Sequence, residues 1–306
     1  MSQRLNDSLE ENDFHLPVMI EEILSFLNLC PGGKIVDATI GTGGHSLAIL
    51  KQLMHKGKLI GIDRDQESLK IAKERLSGVS DICEFVYGNF VDIDQLLKKI
   101  NVKKIDGIVF DLGISSFQLA DPQRGFSFQN QGPLDMRLDK NSPISAYELV
   151  NKLNEEELSS LLWNFGEERW HRRIARFLVR ERGKHPISTT LELSSIVLKA
   201  MPYKHKYSRI HPATRTFQAI RIAVNRELEI LEIAICKAIK LLNKKARICV
   251  ISFHSLEDRI VKFTFRKAAA EGEVKIITPK PLIPSESEIE ENPSSRSAKL
   301  RVAERL

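Results

Sequence analysis

Three aspartates and a glycine-rich turn in the first 111 residues have the types and spacing to bind a small charged molecule. The run Asp37-Ala38-Thr39-Ile40-Gly41-Thr42-Gly43-Gly44-His45 places an acid just ahead of three glycines. Glycine lets the backbone turn sharply and approach a ligand closely. A helix starting after the turn would point the positive end of its dipole at that ligand. Twenty-two residues past Gly41 comes Gly61-Ile62-Asp63-Arg64-Asp65. A carboxylate at Asp63 can accept both hydroxyls of an adenosine ribose, each charged bond contributing about 1.5–3 kcal/mol. Asp111, in Asp111-Leu112-Gly113-Ile114-Ser115-Ser116, is the third acid, at a strand end expected to face the same crevice. Phe90, in Gly88-Asn89-Phe90, offers a ring that could cover an adenine.

A dinucleotide and S-adenosylmethionine both suit such a turn, and the details favour the second. The dinucleotide fingerprint puts its third glycine where this chain has Ser46. Asp37 would repel a pyrophosphate and attract the sulfonium and ammonium groups of S-adenosylmethionine. The bland alternative is a turn whose glycines serve only the backbone.

These residues need a scaffold that brings strand ends together. Strand-like runs occur at Lys34 to Ala38, Lys58 to Asp63, Ile82 to Tyr87 and Ile105 to Asp111. Helical patterns fill Pro17 to Leu27, His45 to Lys56 and Gln66 to Leu76. Strands alternating with short helices predict a parallel sheet covered on both faces. That rhythm stops at Asp111. Loop signals and helical patterns follow at Ala146 to Leu153, Glu155 to Phe165, Trp170 to Arg182 and Thr190 to Ala200. One long helix is expected from His211-Pro212 to Leu242, leading into a fifth strand over Ala246 to Ser252. Residues 279–299 read as a loose segment. The expected fold class is α/β, one Rossmann-like sheet (1–113 and 211–306) interrupted by an all-helical insertion over 114–210.

The net charge of +6 conceals an asymmetry. Residues 169–185 hold seven basic side chains against Glu181 alone, and residues 199–226 hold seven more with no acid. A polyanion partner is expected there. No apolar run approaches the ~20 residues of a membrane-spanning helix. Cys30, Cys83, Cys236 and Cys249 lack metal-type spacing and read as small buried hydrophobes of a reducing compartment. With Asp7, Glu10, Glu11 and Asp13 against a lone Arg4, the first residues resemble no targeting peptide, so a cytoplasmic location is expected. The residues themselves assign no oligomeric state.

An ordered set of motifs resembles one family. It comprises His15-Leu16-Pro17-Val18-Met19 with Glu21-Glu22, Gly41 to Ser46, Asp111 to Ser116, Arg124-Gly125-Phe126-Ser127-Phe128 and Gly132 to Arg137. It continues with Gly166-Glu167-Glu168-Arg169, His211 to Ala219, and Ser252 to Arg259. Together they resemble the bacterial MraW/RsmH rRNA small-subunit methyltransferases, which methylate N4 of a decoding-centre cytidine. The resemblance implies a class I methyltransferase domain with an inserted helical, basic substrate-recognition domain. It implies S-adenosylmethionine contacts at Gly43, Gly44, His45, Asp63, Phe90, Asp111 and Gln118, no metal, and the small ribosomal subunit with its 16S rRNA as partner. Thr42 stands where the family commonly has Arg.

The catalytic residue is less legible. Many amine methyltransferases carry an Asp/Asn-Pro-Pro-aromatic loop after the fourth strand, and Asp111-Leu112-Gly113-Ile114 lacks its aromatic. Asp111, Ser115 and Asp135 are weak catalytic candidates. Phe126, Phe128 and Trp163 are candidates to stack on the cytosine, with core packing as the bland reading. His254 reads as a hydrogen-bonded scaffold residue. Two other functions compete: methylation of another nucleic-acid amine, and a non-catalytic ribosome assembly factor.

Overall fold

The computed structural model describes residues 16–53, 56–203 and 211–306. In chain order it opens with α1 (Ile20–Leu27), β1 (Lys34–Asp37), α2 (Gly44–Leu53), β2 (Lys58–Asp63), α3 (Gln66–Arg75), β3 (Cys83–Tyr87), α4 (Ile93–Lys99) and β4 (Ile105–Asp111). Helices follow: α5 (Ser116–Ala120), α6 (Ala146–Lys152), α7 (Glu155–Gly166), α8 (His171–Arg182), α9 (Thr190–Ala200) and α10 (Thr214–Asn225). The chain then returns through α11 (Glu227–Leu241), β5 (Leu242–Ser252), α12 (Ser255–Ala270), β6 (Val274–Ile276), α13 (Glu286–Glu291) and β7 (Lys299–Arg305).

The strands form one sheet in the order β3-β2-β1-β4-β5-β7-β6. The first five are parallel, and β7 runs antiparallel to both β5 and β6. The α/β expectation therefore holds. Central strands bury nearly continuous apolar runs, as a sheet covered on both faces requires. Their core includes Ile35, Ile49, Leu59, Val109 and Ile251. From β1 the chain winds outward one way to β2 and β3, then restarts on the other side at β4. Reversals of this kind open a crevice beyond the carboxyl ends of the two central strands. Asp37 and Asp111 end those strands.

Two compact units result. One contains the described residues up to Gly113 together with Leu231–Leu306; the other is Ile114–Ile230. The second unit has its own core, including Leu134, Val150, Leu162, Leu178, Val197 and Ile220. It extends past residue 210 because α10 contributes Phe217, Ile220 and Val224 to that core.

Several local expectations need correction. The long helix breaks at Arg226, whose backbone is left-handed (φ 53°), giving α10 and α11. Asn225 accounts for the break: its side chain accepts from Leu138 N and donates to Met136 O, at 2.8 and 2.7 Å. The segment read as loose contains α13, where Ser285 caps an acidic first turn, the favourable end for carboxylates. The sequence reading passed over α4, α12, β6 and β7. Cys249 is buried, but Cys83 and Cys236 are half-buried, and Cys30, beside the turn after α1, is exposed. Burial pushes the Cys83 thiol up to about 11 and that of Cys249 to about 12. Among the described residues no helix is long and apolar enough to cross a membrane.

Candidate active site

The β1–α2 turn is built around buried Asp37. Its Oδ2 accepts from Ser46 Oγ at 2.7 Å and its Oδ1 from Thr39 N at 3.3 Å. Burial raises its carboxyl above the usual range, against the opposing pull of His45 and these hydrogen bonds. Ser46, at the third-glycine position of a dinucleotide site, thus has a bonding role of its own. Gly41 and Gly43 adopt left-handed backbone (φ 52° and 83°). A Cβ on Gly44 would lie 2.6 Å from Pro17 Cγ, so α2 starts on a residue that must stay small.

Asp63 braces this turn from the neighbouring strand. Its Oδ2 accepts from Gly41 N and its Oδ1 from Asp65 N, both at 2.9 Å. Each oxygen has a further lone pair, enough for a diol. Burial pushes the carboxyl up to about 6, although the two amides favour its ionised form.

Asp111 differs between its two oxygens. Oδ2 lies 3.5 Å from His45 Nδ1. Oδ1 is buried and has no hydrogen-bond partner among the described residues. Its backbone N–H donates to Thr39 Oγ1 at 2.7 Å, fixing the end of β4 against β1. His45 Nε2 lies 2.8 Å from Val18 O, a carbonyl that can only accept, so this nitrogen carries hydrogen and Nδ1 is turned to Asp111. Burial pushes the Asp111 carboxyl up to about 6; His45 pulls it down, while Asp37 and Glu257 push it further up. A bare carboxylate oxygen among other acids is suited to a cation. The ammonium and sulfonium groups of S-adenosylmethionine meet that requirement, and a pyrophosphate does not.

Phe90 packs edge to face on Phe110, centroids 5.7 Å apart, and is largely buried. Gly43, Gly44, His45, Asp63, Phe90 and Asp111 therefore all belong to the first unit, around the ends of β1, β2 and β4 and the loop after β3. Gln118, Ser115 and Asp135 belong to the second. Ser115 caps α5 in a reciprocal box with buried Gln118: Gln118 N donates to Ser115 Oγ, and Ser115 N to Gln118 Oε1. Asp135 is clasped by Arg137, with Nε to Oδ1 at 2.9 Å and a second guanidinium nitrogen to Oδ2 at 2.6 Å. Burial alone would raise its carboxyl, but Arg137 holds it below the ordinary value. Both groups are thus committed to holding loops.

The aromatic candidates also separate. Phe126 is buried, and Phe128 stacks on His211 with centroids 4.4 Å apart, while Trp163 is 53% exposed. His254 caps α12, accepting from Glu257 N at 3.3 Å. His15 of the resembling motifs, and Lys204, Lys206 and Arg209 of the second basic block, lie outside the described residues. Thr39, Ser46 and Glu257 were not singled out from the sequence as site residues. Ser46 directly follows the glycine turn, whereas nothing in the local pattern marks Thr39.

Comparison with known proteins identifies the family. Residues 12–306 match the model of the MraW methylase family. The chain is 48% identical to ribosomal RNA small subunit methyltransferase H of Clostridium botulinum (strain Kyoto / Type A2), covering 95% of this chain and 99% of that protein. The protein of the same name from Halothermothrix orenii is 46% identical, with 95% and 98% covered. Among solved structures, a Streptococcus mutans chain described as a methyltransferase in complex with SAH aligns with TM-score 0.44 at 14% identity, covering 94% and 97%. A family model matched from residue 12 to the last residue leaves one conclusion: the chain belongs to the MraW methylase family.

Proposed function

We propose that this methylase transfers a methyl group from S-adenosylmethionine to the exocyclic N4 amine of a cytidine in the decoding region of 16S rRNA, acting on the small ribosomal subunit in the cytoplasm. The observation that carries the reading is the buried, unpartnered Oδ1 of Asp111 beside the glycine turn of a family methylase. The relatives' names, ribosomal RNA small subunit methyltransferase H, support the substrate.

S-adenosylmethionine supplies an electrophilic methyl group when bound. Asp111 would receive its ammonium, Asp63 its ribose hydroxyls, and the backbone at Gly43 and Gly44 would lie against it. His45 keeps Asp111 oriented, and Phe90 forms an apolar wall. The cytosine amine is a poor nucleophile, because its lone pair is delocalised into the ring. Orientation must therefore do much of the work, with nitrogen and methyl carbon about 3–3.5 Å apart. Deprotonation of the nitrogen can follow methyl transfer, so no strong general base is required. That suits a site whose acids are spent on binding. The target base must be unpaired or flipped to be reached, and the basic second unit would grip the flanking phosphates.

The test uses unmodified small subunits and isotope-labelled S-adenosylmethionine, followed by digestion and mass analysis of nucleosides. Labelled N4-methylcytidine is the expected product. Label in another nucleoside would overturn the target. An Asp63→Ala variant that still rescued function in cells would point to a non-catalytic assembly role.

A further inference from the structure

The outer face of α8 is an arginine stripe. At 3.6 residues per turn, Arg172, Arg173, Arg176 and Arg180 fall within about 100° of one another around the helix axis, and all four are exposed. Ile174, Ala175 and Leu178 fill the opposite, buried side. Arg176 lies 3.6 Å from Glu155, an exposed pair of the kind that contributes little. Arg180 is engaged by Glu181 at 2.9 Å. Arg172 has no ion pair among the described residues. No fold-stabilising role requires so many like charges together.

Phe177 borders this stripe, and a second ring, Trp163, is exposed on the neighbouring helix α7. Phe177 is half-buried, with the guanidinium carbons of Arg180 and Arg173 at 4.3 and 5.7 Å from its centroid. Trp163 of α7 is 53% exposed, although Leu158, Leu161 and Leu162 already fill the core side of that helix. The indole lies 5.1 Å from the ring of His171, the first residue of α8. His171 is itself held, its Nδ1 2.8 Å from Ser159 Oγ and 3.1 Å from Ser159 O. The indole is therefore backed by an anchored ring while half of its surface meets water.

A rigid exposed aromatic face on a unit rich in exposed arginines has the composition of a single-strand nucleic-acid surface, where bases stack and phosphates meet positive charge. We propose that Trp163 is a stacking platform for an unpaired RNA base, with Arg172, Arg173 and Arg176 holding phosphates further along the same strand. The choice of RNA as the polyanion rests on the methylation reading above, while the contact itself belongs to the second unit's own surface. A duplex does not fit, because its bases are hidden in the stack.

The test measures binding of an oligocytidylate of about 20 nucleotides at fixed salt to the full chain and its variants. Trp163→Ala is expected to weaken binding about fivefold or more, and Trp163→Phe, which keeps a ring, by about twofold or less. Both variants should keep the wild-type melting temperature and affinity for S-adenosylmethionine. Equal affinity of Trp163→Ala and wild type overturns the platform, even if Arg172→Glu weakens binding, because charge alone then carries the contact. Absence of measurable oligocytidylate binding by the wild type overturns it too. So does a loss seen only on assembled small subunits, which would assign this face to a ribosomal protein. Oligocytidylate binding is read without methyl transfer, so a failure to form N4-methylcytidine would sink the proposed reaction and leave this surface standing.

Discussion

Asp111 is held in a costly state. Its carboxyl sits near 6 in the fold because burial opposes ionisation, and near 3.9 in an unfolded chain. Such a group favours the folded state below about pH 4 and loses that contribution as pH rises through 6. At pH 7.5 its charge therefore works against folding. Asp111→Asn is expected to raise the melting temperature by about 2–4 °C at pH 7.5, to give no gain near pH 4, and to abolish cofactor binding. Calorimetry at the two pH values checks this, and a lower melting temperature at pH 7.5 would mean that attraction to His45 outweighs burial. With Asp63 also near 6, affinity for S-adenosylmethionine should fall at least about tenfold by pH 5 as both acids take up protons. Titration calorimetry across that range would show it, and a flat profile would contradict it. The three acids were legible because each ends a readable strand. The bonds from Ser46 to Asp37 and from Asp111 N to Thr39 were not, since hydroxyl residues are common and their partners are fixed only by the packed sheet.

At the level of elements, periodicity identified the βα units well and failed where it continued across a break. Phe217, Ile220, Val224, Leu228 and Leu231 keep helical spacing straight through Arg226, so apolar pattern alone could not find the left-handed residue there. The antiparallel β6 and β7 lacked the strand–helix alternation that revealed the parallel ones. Loops carry constraints that pattern does not show. Gly125 has φ 69°, and a Cβ there would lie 2.1 Å from Pro133 O and 3.0 Å from Asp135 N. Those neighbours are backbone, with little freedom to move. Gly125→Ala is expected to destabilise the second unit by about 2–4 kcal/mol, from left-handed strain and the clash together. A urea midpoint within error of wild type would show that the loop can shift.

Across the whole molecule, the end of the strand–helix alternation at Asp111 marked where the second unit begins, and both basic blocks fall within Ile114–Ile230. Where the insertion ends was not legible, because α10 is divided from α11 by tertiary hydrogen bonds rather than by composition. If that unit grips RNA through phosphates, the log–log salt dependence of binding should steepen by about 0.7 per phosphate neutralised. Replacing Arg172 and Arg173 together by alanine should flatten the slope by about 1.4. An unchanged slope would remove these arginines from the phosphate contacts.

The strand order also sets a timetable for biosynthesis. About 130 residues separate the end of β4 from the start of β5, so at 5–20 residues per second β4 waits roughly 7–26 s for its outer neighbour. For that interval a nascent chain carries an open, apolar sheet edge, the kind of surface that invites aggregation. β6 waits in turn for β7, its neighbour in the sheet, which is made after it. The second unit, whose residues are contiguous, has no such delay. Ribosome-arrested chains stalled with residue 230 just outside the exit tunnel are expected to protect residues 114–230 from protease while leaving 105–111 cleavable, with protection of β4 appearing only after β5 emerges. The insertion thus makes the catalytic sheet the later of the two units to mature.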